Sequence, residues 1–159
     1  MCATHLERTL AVADWDADPV AVTDELAAAN ARRPSVFGLL VPARLHGLAW
    51  IGDPKASCPC AERQLAELER LARERGLRIA TATVGDPERV GAVTASLDLW
   101  DAERVVLLGR RASRVARRVA RKTGRRVARV AIPSQVRPRR GGALSALAAF
   151  RRPHCEAVS

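Results

Sequence analysis

Short apolar runs alternate along this chain with segments whose apolar residues repeat at helical spacing. This alternation is typical of parallel strands joined by crossover helices. The five apolar runs predict five strands, which are Arg8–Asp14, Ser35–Pro42, Leu77–Val84, Arg104–Leu108 and Arg126–Ile132. A chain of 159 residues with 48% hydrophobic residues is long enough for one buried core and too short for two. The sequence therefore predicts a single α/β domain with four helices between the strands.

The starts of the predicted helices carry capping signals. Asp18 followed by Pro19 predicts an N-cap and a first-turn proline. Asp86 and Pro87 repeat this signal before the third helix, and Ser113 is predicted to cap the fourth. Strands followed so directly by helix caps indicate short connections at the carboxyl ends of the strands, with one exception. Residues 43 to about 57 form a long predicted loop of the kind that often carries function.

Basic and acidic residues are distributed unequally between the two parts of the chain. The formal net charge is +10, yet Met1 to Glu103 contains 11 basic and 16 acidic residues, while Arg104 to Cys155 contains 16 basic and no acidic residues. Such asymmetry favours anionic partners, namely a nucleotide, RNA, DNA or an acidic protein. A GC-rich genome is an alternative source of part of the arginine bias. Residues 1–133 are predicted to form the folded domain, and 134–159 a basic, partly disordered tail.

The carboxyl ends of the first and fourth predicted strands are the candidate ligand site. In open parallel sheets, ligands bind beyond these ends, where the strand order reverses. A glycine, two arginines and a serine at a helix start combine close backbone approach with positive charge, which suits a phosphate, although the same residues also serve simply to turn and cap the chain. The predicted nucleotide or anion site consists of Asp14, Gly85, Gly109, Arg110, Arg111 and Ser113.

The chain resembles the universal stress protein family, within the adenine-nucleotide α-hydrolase-like folds, over about residues 8 to 133. The resemblance rests on the strand-helix alternation, Asp14 after the first strand, the sequence GDP at 85–87 and the sequence VVLLG that ends the fourth strand. More specifically, the chain resembles small, divergent actinobacterial members of the family, in which a strand ending in LLVPA is followed by HGL. In this sequence, these segments are residues 39–43 and 46–48. The resemblance implies a three-layer fold with strand order 3-2-1-4-5, a non-enzymatic stress or signalling protein, and a homodimer paired through the edge strand Arg126–Ile132.

The resemblance also implies ATP or another adenine nucleotide as ligand, but the phosphate loop departs from the family pattern. ATP-binding members carry glycine, two residues, glycine, nine residues, then glycine with serine or threonine. Counted from Gly109, the second and third glycines are replaced by Ala112 and Lys122, which precedes Thr123. Aligned instead on the fifth strand, the loop is shortened and Ser113 takes the place of the serine. Either way, two glycines that would let the backbone approach a phosphate are absent from this segment.

A row of arginines on the fourth predicted helix supports an alternative function. The spacing i, i+3, i+4, i+7 places four of them on one helical face. A nucleic-acid backbone would relieve the repulsion between them. The same row is also compatible with a solvated helix face. The residues predicted for nucleic-acid binding are Arg114, Arg117, Arg118, Arg121 and Arg125, followed in the tail by Arg137, Arg139 and Arg140.

The remaining motifs predict little further chemistry. Cys58 and Cys60, which flank a proline, are closer together than a thioredoxin-type pair and are predicted to be reduced thiols, as is usual for four cysteines in a chain of this length. Either His46, or His154 and Cys155 from the tail, could in principle complete a tetrahedral metal site with these cysteines, but no metal is predicted. The sequence lacks a nucleophile elbow, a secretory signal and an apolar run of membrane-spanning length. We therefore expect a non-enzymatic, cytoplasmic protein that does not bind membranes.

Overall fold

The structure, a computed structural model, describes residues 6–44 and 59–135. Strands and helices alternate along these residues as the sequence predicts. The elements are β1 (Glu7–Ala13), α1 (Pro19–Arg32), β2 (Ser35–Pro42), α2 (Pro59–Glu74), β3 (Arg78–Gly85), α3 (Arg89–Leu99), β4 (Arg104–Leu108), α4 (Ala112–Thr123) and β5 (Arg126–Val130).

The five strands form one parallel sheet in the order β3-β2-β1-β4-β5. The predicted fold class and strand order are therefore confirmed. Because β1 is central, it pairs with β2 on one side and β4 on the other, with Ala11 opposite both Leu39 and Val106. The chain leaves β1, builds outward to β3, then crosses back to β4, so the strand order reverses between β1 and β4.

Alternate residues of the central strands enter two separate cores. Ala11 and Ala13 of β1 lie in the core that β1 shares with α1 and α2, where Leu26 and Leu68 are fully buried. Leu10, Val12 and their neighbours in β4 lie in the opposite core, under α3 and α4. Since side chains alternate across a strand, apolar residues at every position of β1 require helices on both faces. The result is the three-layer arrangement.

The helix starts agree with the capping signals at one helix and differ at two. Asp18 caps α1, accepting the N–H of Val20. The predicted cap at Asp86 is wrong, because Asp86 accepts the N–H of Glu88 in a preceding turn and Glu88 itself caps α3.

The predicted cap at Ser113 is also wrong. Helix α4 begins at Ala112, with Arg111 in the N-cap position and no capping side chain. Ala112 is buried in the core under α3 and α4. Burial of this side chain places the start of the helix two residues earlier than predicted, which leaves Ser113 exposed inside the first turn.

The residues after β5 return across the first strand–helix connection. Strand β5 is shorter than the predicted strand, ending at Val130, and Ile132 is buried beyond its end. Pro133 accepts the N–H of Asp18, and Ser134 forms an isolated antiparallel bridge with Ala17. These two contacts hold the β1–α1 connection in place. Predictions on the tail from residue 136 onward lie outside the described residues.

Strand β5 is an edge strand that pairs with β4 within the described sheet. Its residues are exposed or half-buried. The homodimer through this strand stays a prediction. Among residues 6–44 and 59–135, none of the helices has the length and hydrophobicity that crossing a bilayer requires.

Several other predictions fall on residues outside the described ranges. These are most of the long loop after β2, His46, the HGL sequence, Cys58, His154 and Cys155. Cys60, at the start of α2, is disulfide-bonded, so the prediction of a reduced thiol is wrong for this residue.

The contact between β2 and the end of α3 depends on a glycine. A Cβ atom at Gly38 would lie 2.7 Å from Cζ3 of Trp100 and 3.0 Å from Cγ2 of Thr81. The indole of Trp100 therefore lies directly on the backbone of β2. Such packing leaves no room for a methyl group.

We predict that Gly38→Ala destabilises the protein by about 1–3 kcal/mol, the usual cost of overpacking a core. Urea unfolding followed by circular dichroism measures this difference. In a Trp100→Leu background, the same substitution should cost less, because the ring that the methyl group meets is gone. An equal cost in both backgrounds would contradict the contact.

Candidate functional site

A cleft of about 650 Å³ opens at the carboxyl ends of the central strands. It lies where the strand order reverses, which is where the sequence places the candidate site. Its walls come from the connections that follow β1, β2, β3 and β4. The charged lining residues are Asp14, Asp16, Arg44, Arg89, Arg110, Arg111 and Arg114. Five arginines against two aspartates make the cleft electropositive.

Asp14 is the most buried charged group of the cleft, with 6% of its surface exposed. Its Oδ1 lies 2.6 Å from Nη1 of Arg89, whose side chain is itself 20% exposed. The carboxylate also accepts the backbone N–H of Arg111, the N-cap residue of α4. Asp14 therefore connects the starts of α3 and α4 across the end of β1.

Gly109 leaves room for the carboxylate of Asp14 because it has no side chain. A Cβ atom at Gly109 would lie 2.2 Å from Oδ2 of Asp14, which no side chain could tolerate. Gly109 also has φ +148°, a conformation that favours glycine. The glycine after β4 thus allows an anion to approach the backbone closely, and in this structure that anion is the carboxylate of Asp14.

Burial raises the pKa of Asp14 above its ordinary value of 3.8. The ion pair with Arg89 and the N–H of Arg111 oppose this change, and the charge of Asp16 adds to it. Loss of hydration thus has a larger effect than the paired cation. Holding this carboxylate in its ionised form costs the folded protein free energy.

The side chains of three cleft arginines form no ion pair within the part of the chain that the structure describes. Within residues 6–44 and 59–135, no aspartate or glutamate forms an ion pair with Arg110, Arg111 or Arg114. All three are exposed. Their guanidinium groups supply donors suited to a phosphate or carboxylate.

The opposite wall carries an aromatic ring. The guanidinium carbon of Arg44, which follows β2, lies 4.7 Å from the ring centroid of Trp15. Asp16, next in the chain, accepts a hydrogen bond from Oγ of Ser134 at 2.8 Å. The segment that follows β5 therefore fixes the β1–α1 connection on which Trp15 is carried.

The structure brings four of the six predicted site residues together. Asp14, Arg110 and Arg111 line the cleft, and Gly109 packs against Asp14 beneath it. Gly85 does not line the cleft. A Cβ atom at Gly85 would lie 2.7 Å from Cδ1 of Leu40 and 2.9 Å from Cβ of Ala92, so this glycine lets α3 pack on the sheet.

Ser113, the sixth predicted residue, does not line the cleft either. Sequence reasoning also missed two arginines that do, Arg44 and Arg89. A signal for Arg89 was present, since it is the first residue of α3, where a cation is disfavoured by the helix dipole. A basic residue at such a position indicates a nearby anion, which here is Asp14.

The arginine row on α4 is divided between different environments. Arg114, Arg117, Arg118 and Arg121 are all exposed, on the side of α4 opposite Val119. Arg114 lines the cleft, and Arg118 lies 3.8 Å from Glu88. Arg125, beyond the helix, forms an ion pair with Asp101.

No family model and no curated protein matches the sequence. A match is found among solved structures, to a universal stress protein in complex with cAMP. The similarity covers 81% of this chain and all of that chain, with a TM-score of 0.55 and 16% sequence identity. This chain shares the fold of a universal stress protein. At this identity, the comparison concerns the fold alone.

We predict that pH changes the effect of Asp14→Asn on stability. Because the folded pKa of Asp14 is raised, protonation of its carboxyl group stabilises the folded state. This stabilisation is fully present below 3.8 and is lost as pH rises through the raised value. The stability of the wild type relative to Asp14→Asn should therefore fall as pH rises above 3.8, and then level off.

Urea unfolding of both proteins across a pH series measures this difference in the free energy of unfolding. Groups that titrate in the same way in both proteins contribute equally and cancel from the difference. A difference that rises with pH would show that Arg89 lowers the pKa of Asp14 more than burial raises it.

Proposed function

We propose that this chain is a non-enzymatic protein of the universal stress type that binds an adenine nucleotide in the cleft. The shared fold supports this proposal, since the universal stress protein that it matches was solved in complex with cAMP. The cleft lies at the strand ends where ligands of open parallel sheets bind.

The observation that carries the proposal is the unbalanced charge of the cleft. Five arginines line it, and the guanidinium groups of Arg110, Arg111 and Arg114 form no ion pair with an acidic side chain of the described ranges. Guanidinium groups gathered in this way repel one another until an anion lies between them. A phosphate group meets this requirement with several acceptor oxygens.

The size and walls of the cleft suit a nucleoside as well as a phosphate. Its volume of about 650 Å³ lies within the range of small-molecule sites. Trp15 and the guanidinium group of Arg44, which lies over its ring, form the wall away from α4, and bases stack on guanidinium planes as well as on aromatic rings. A ligand with an anionic end and an aromatic end fits both walls.

We predict that Arg114→Gln weakens ATP binding by about 10–100-fold. The substitution removes a charged hydrogen-bond donor from the cleft, a loss of about 1.5–3 kcal/mol. Arg121→Gln is the matched control, because it removes the same charge from the same helix outside the cleft. Isothermal titration calorimetry with ATP, ADP, AMP, cAMP and inorganic phosphate measures the affinities.

Equal losses in the two variants would show a general effect of charge and contradict a site in the cleft. Binding of phosphate as tight as that of ATP would reduce the proposal to an anion site without nucleotide recognition. If none of ATP, ADP, AMP and cAMP binds the wild type, the proposal is wrong.

The outer part of α4 supports a second candidate function, binding of a nucleic-acid backbone. Arg117 and Arg121 are exposed, and no acidic side chain of the described residues forms an ion pair with either. Cations of this kind bind phosphates without reading sequence. The pairing of Arg118 with Glu88 and of Arg125 with Asp101 leaves fewer cations for this purpose than the sequence suggests.

We predict that Arg117→Gln/Arg121→Gln lowers affinity for RNA uniformly across sequences. The plot of log K against log salt concentration has a negative slope, and its magnitude should decrease by about 2, one for each lost phosphate contact. Fluorescence anisotropy at several salt concentrations measures both quantities. An unchanged slope, or no RNA binding by the wild type at low salt, would eliminate this second function.

A further inference from the structure

The carboxylate of Asp14 occupies the place that an anionic ligand would take at the start of α4. We infer that Asp14 is a built-in anion that blocks the N-terminus of α4 and holds Arg89, so that the cleft binds a phosphate group through guanidinium side chains alone. The phosphate then competes with Asp14 for Arg89. This inference rests on the proposed nucleotide site and specifies how that site recognises its ligand.

The side chain of Asp14 occupies the turn between β4 and α4. Backbone N–H groups at a helix start commonly bind phosphates. Here, the N–H of Arg111 is donated to Asp14, and Oδ2 of Asp14 fills the space in front of Gly109. A phosphate oxygen cannot occupy the same space, so the N–H of Arg111 and the backbone at Gly109 are closed to the ligand while Asp14 remains there.

Arg89 is already paired with an acidic side chain. It lines the cleft, yet its guanidinium lies 2.6 Å from Asp14, and both side chains are mostly buried. Much of its positive charge is therefore neutralised before any ligand arrives. Of the five cleft arginines, Arg89 is the one that the described structure shows bound to an acidic side chain of the cleft.

The charge of Asp14 itself also acts on the ligand. A buried carboxylate beside the site repels an incoming phosphate, since neither charge is screened well there. Removing this charge should both relieve the repulsion and release Arg89 to the ligand. Asp14→Asn should therefore strengthen phosphate binding. If Asp14 instead contacted a donor group of the ligand, the same substitution would weaken binding.

The test compares ATP and adenosine as probes of the wild type and Asp14→Asn. We expect Asp14→Asn to bind ATP about tenfold more tightly or better, while adenosine, which has no charge, binds both proteins equally. Adding Arg89→Gln to Asp14→Asn should remove the gain for ATP. Calorimetry measures the affinities, and circular dichroism confirms that each variant is folded. Asp14→Ser, also small and uncharged, replaces Asp14→Asn if the latter does not fold.

The outcomes separate this inference from the proposed function. If the wild type binds ATP and Asp14→Asn binds it equally or more weakly, the built-in anion is overturned and the nucleotide site is left intact. Binding of ATP by Asp14→Asn alone supports the built-in anion and overturns ATP binding by the wild type. If neither protein binds ATP, the built-in anion is overturned, whereas the proposed function is overturned only if ADP, AMP and cAMP also fail to bind the wild type.

Discussion

The burial of β1 on both faces is the constraint on which the rest of this protein depends. A central strand with apolar residues at successive positions is stable only if helices cover each face of the sheet. Leu10 and Val12 contribute to one core, and Ala11 and Ala13 to the other. This arrangement places β1 between β2 and β4 and makes its carboxyl end the point where the strand order reverses.

The charge that follows β1 shapes the cleft at that point. Asp14 is held among the end of β1, the turn at Gly109 and the starts of α3 and α4. Asp14 forms an ion pair with Arg89 and accepts the N–H of Arg111, the N-cap residue of α4, while the guanidinium groups of Arg110, Arg111 and Arg114 line the cleft. The cleft thus combines an internal anion with arginines that form no ion pair among the described residues.

The position of the cleft could be predicted from the sequence, whereas the contacts within it could not. Asp14, Gly109, Arg110 and Arg111 follow strand ends, and the topology of a parallel sheet gathers such residues at one edge. Arg44 carries no motif, and the position of Arg89 at the start of α3 indicates a nearby anion without identifying it. Gly85 and Ser113 were assigned to the site for local reasons, yet the packing of Leu40, Ala92 and Ala112 decides their places.

The sequence by itself determined the order of elements, the parallel sheet and the basic character of the last third of the chain. These properties follow from hydrophobic periodicity and composition, which are local. The tertiary structure alone decided that the anion in front of Gly109 is the side chain of Asp14, and that Arg89 is its partner. The physical reason is that both contacts join residues far apart in the chain, at distances set by the packing of α3 and α4 on the sheet.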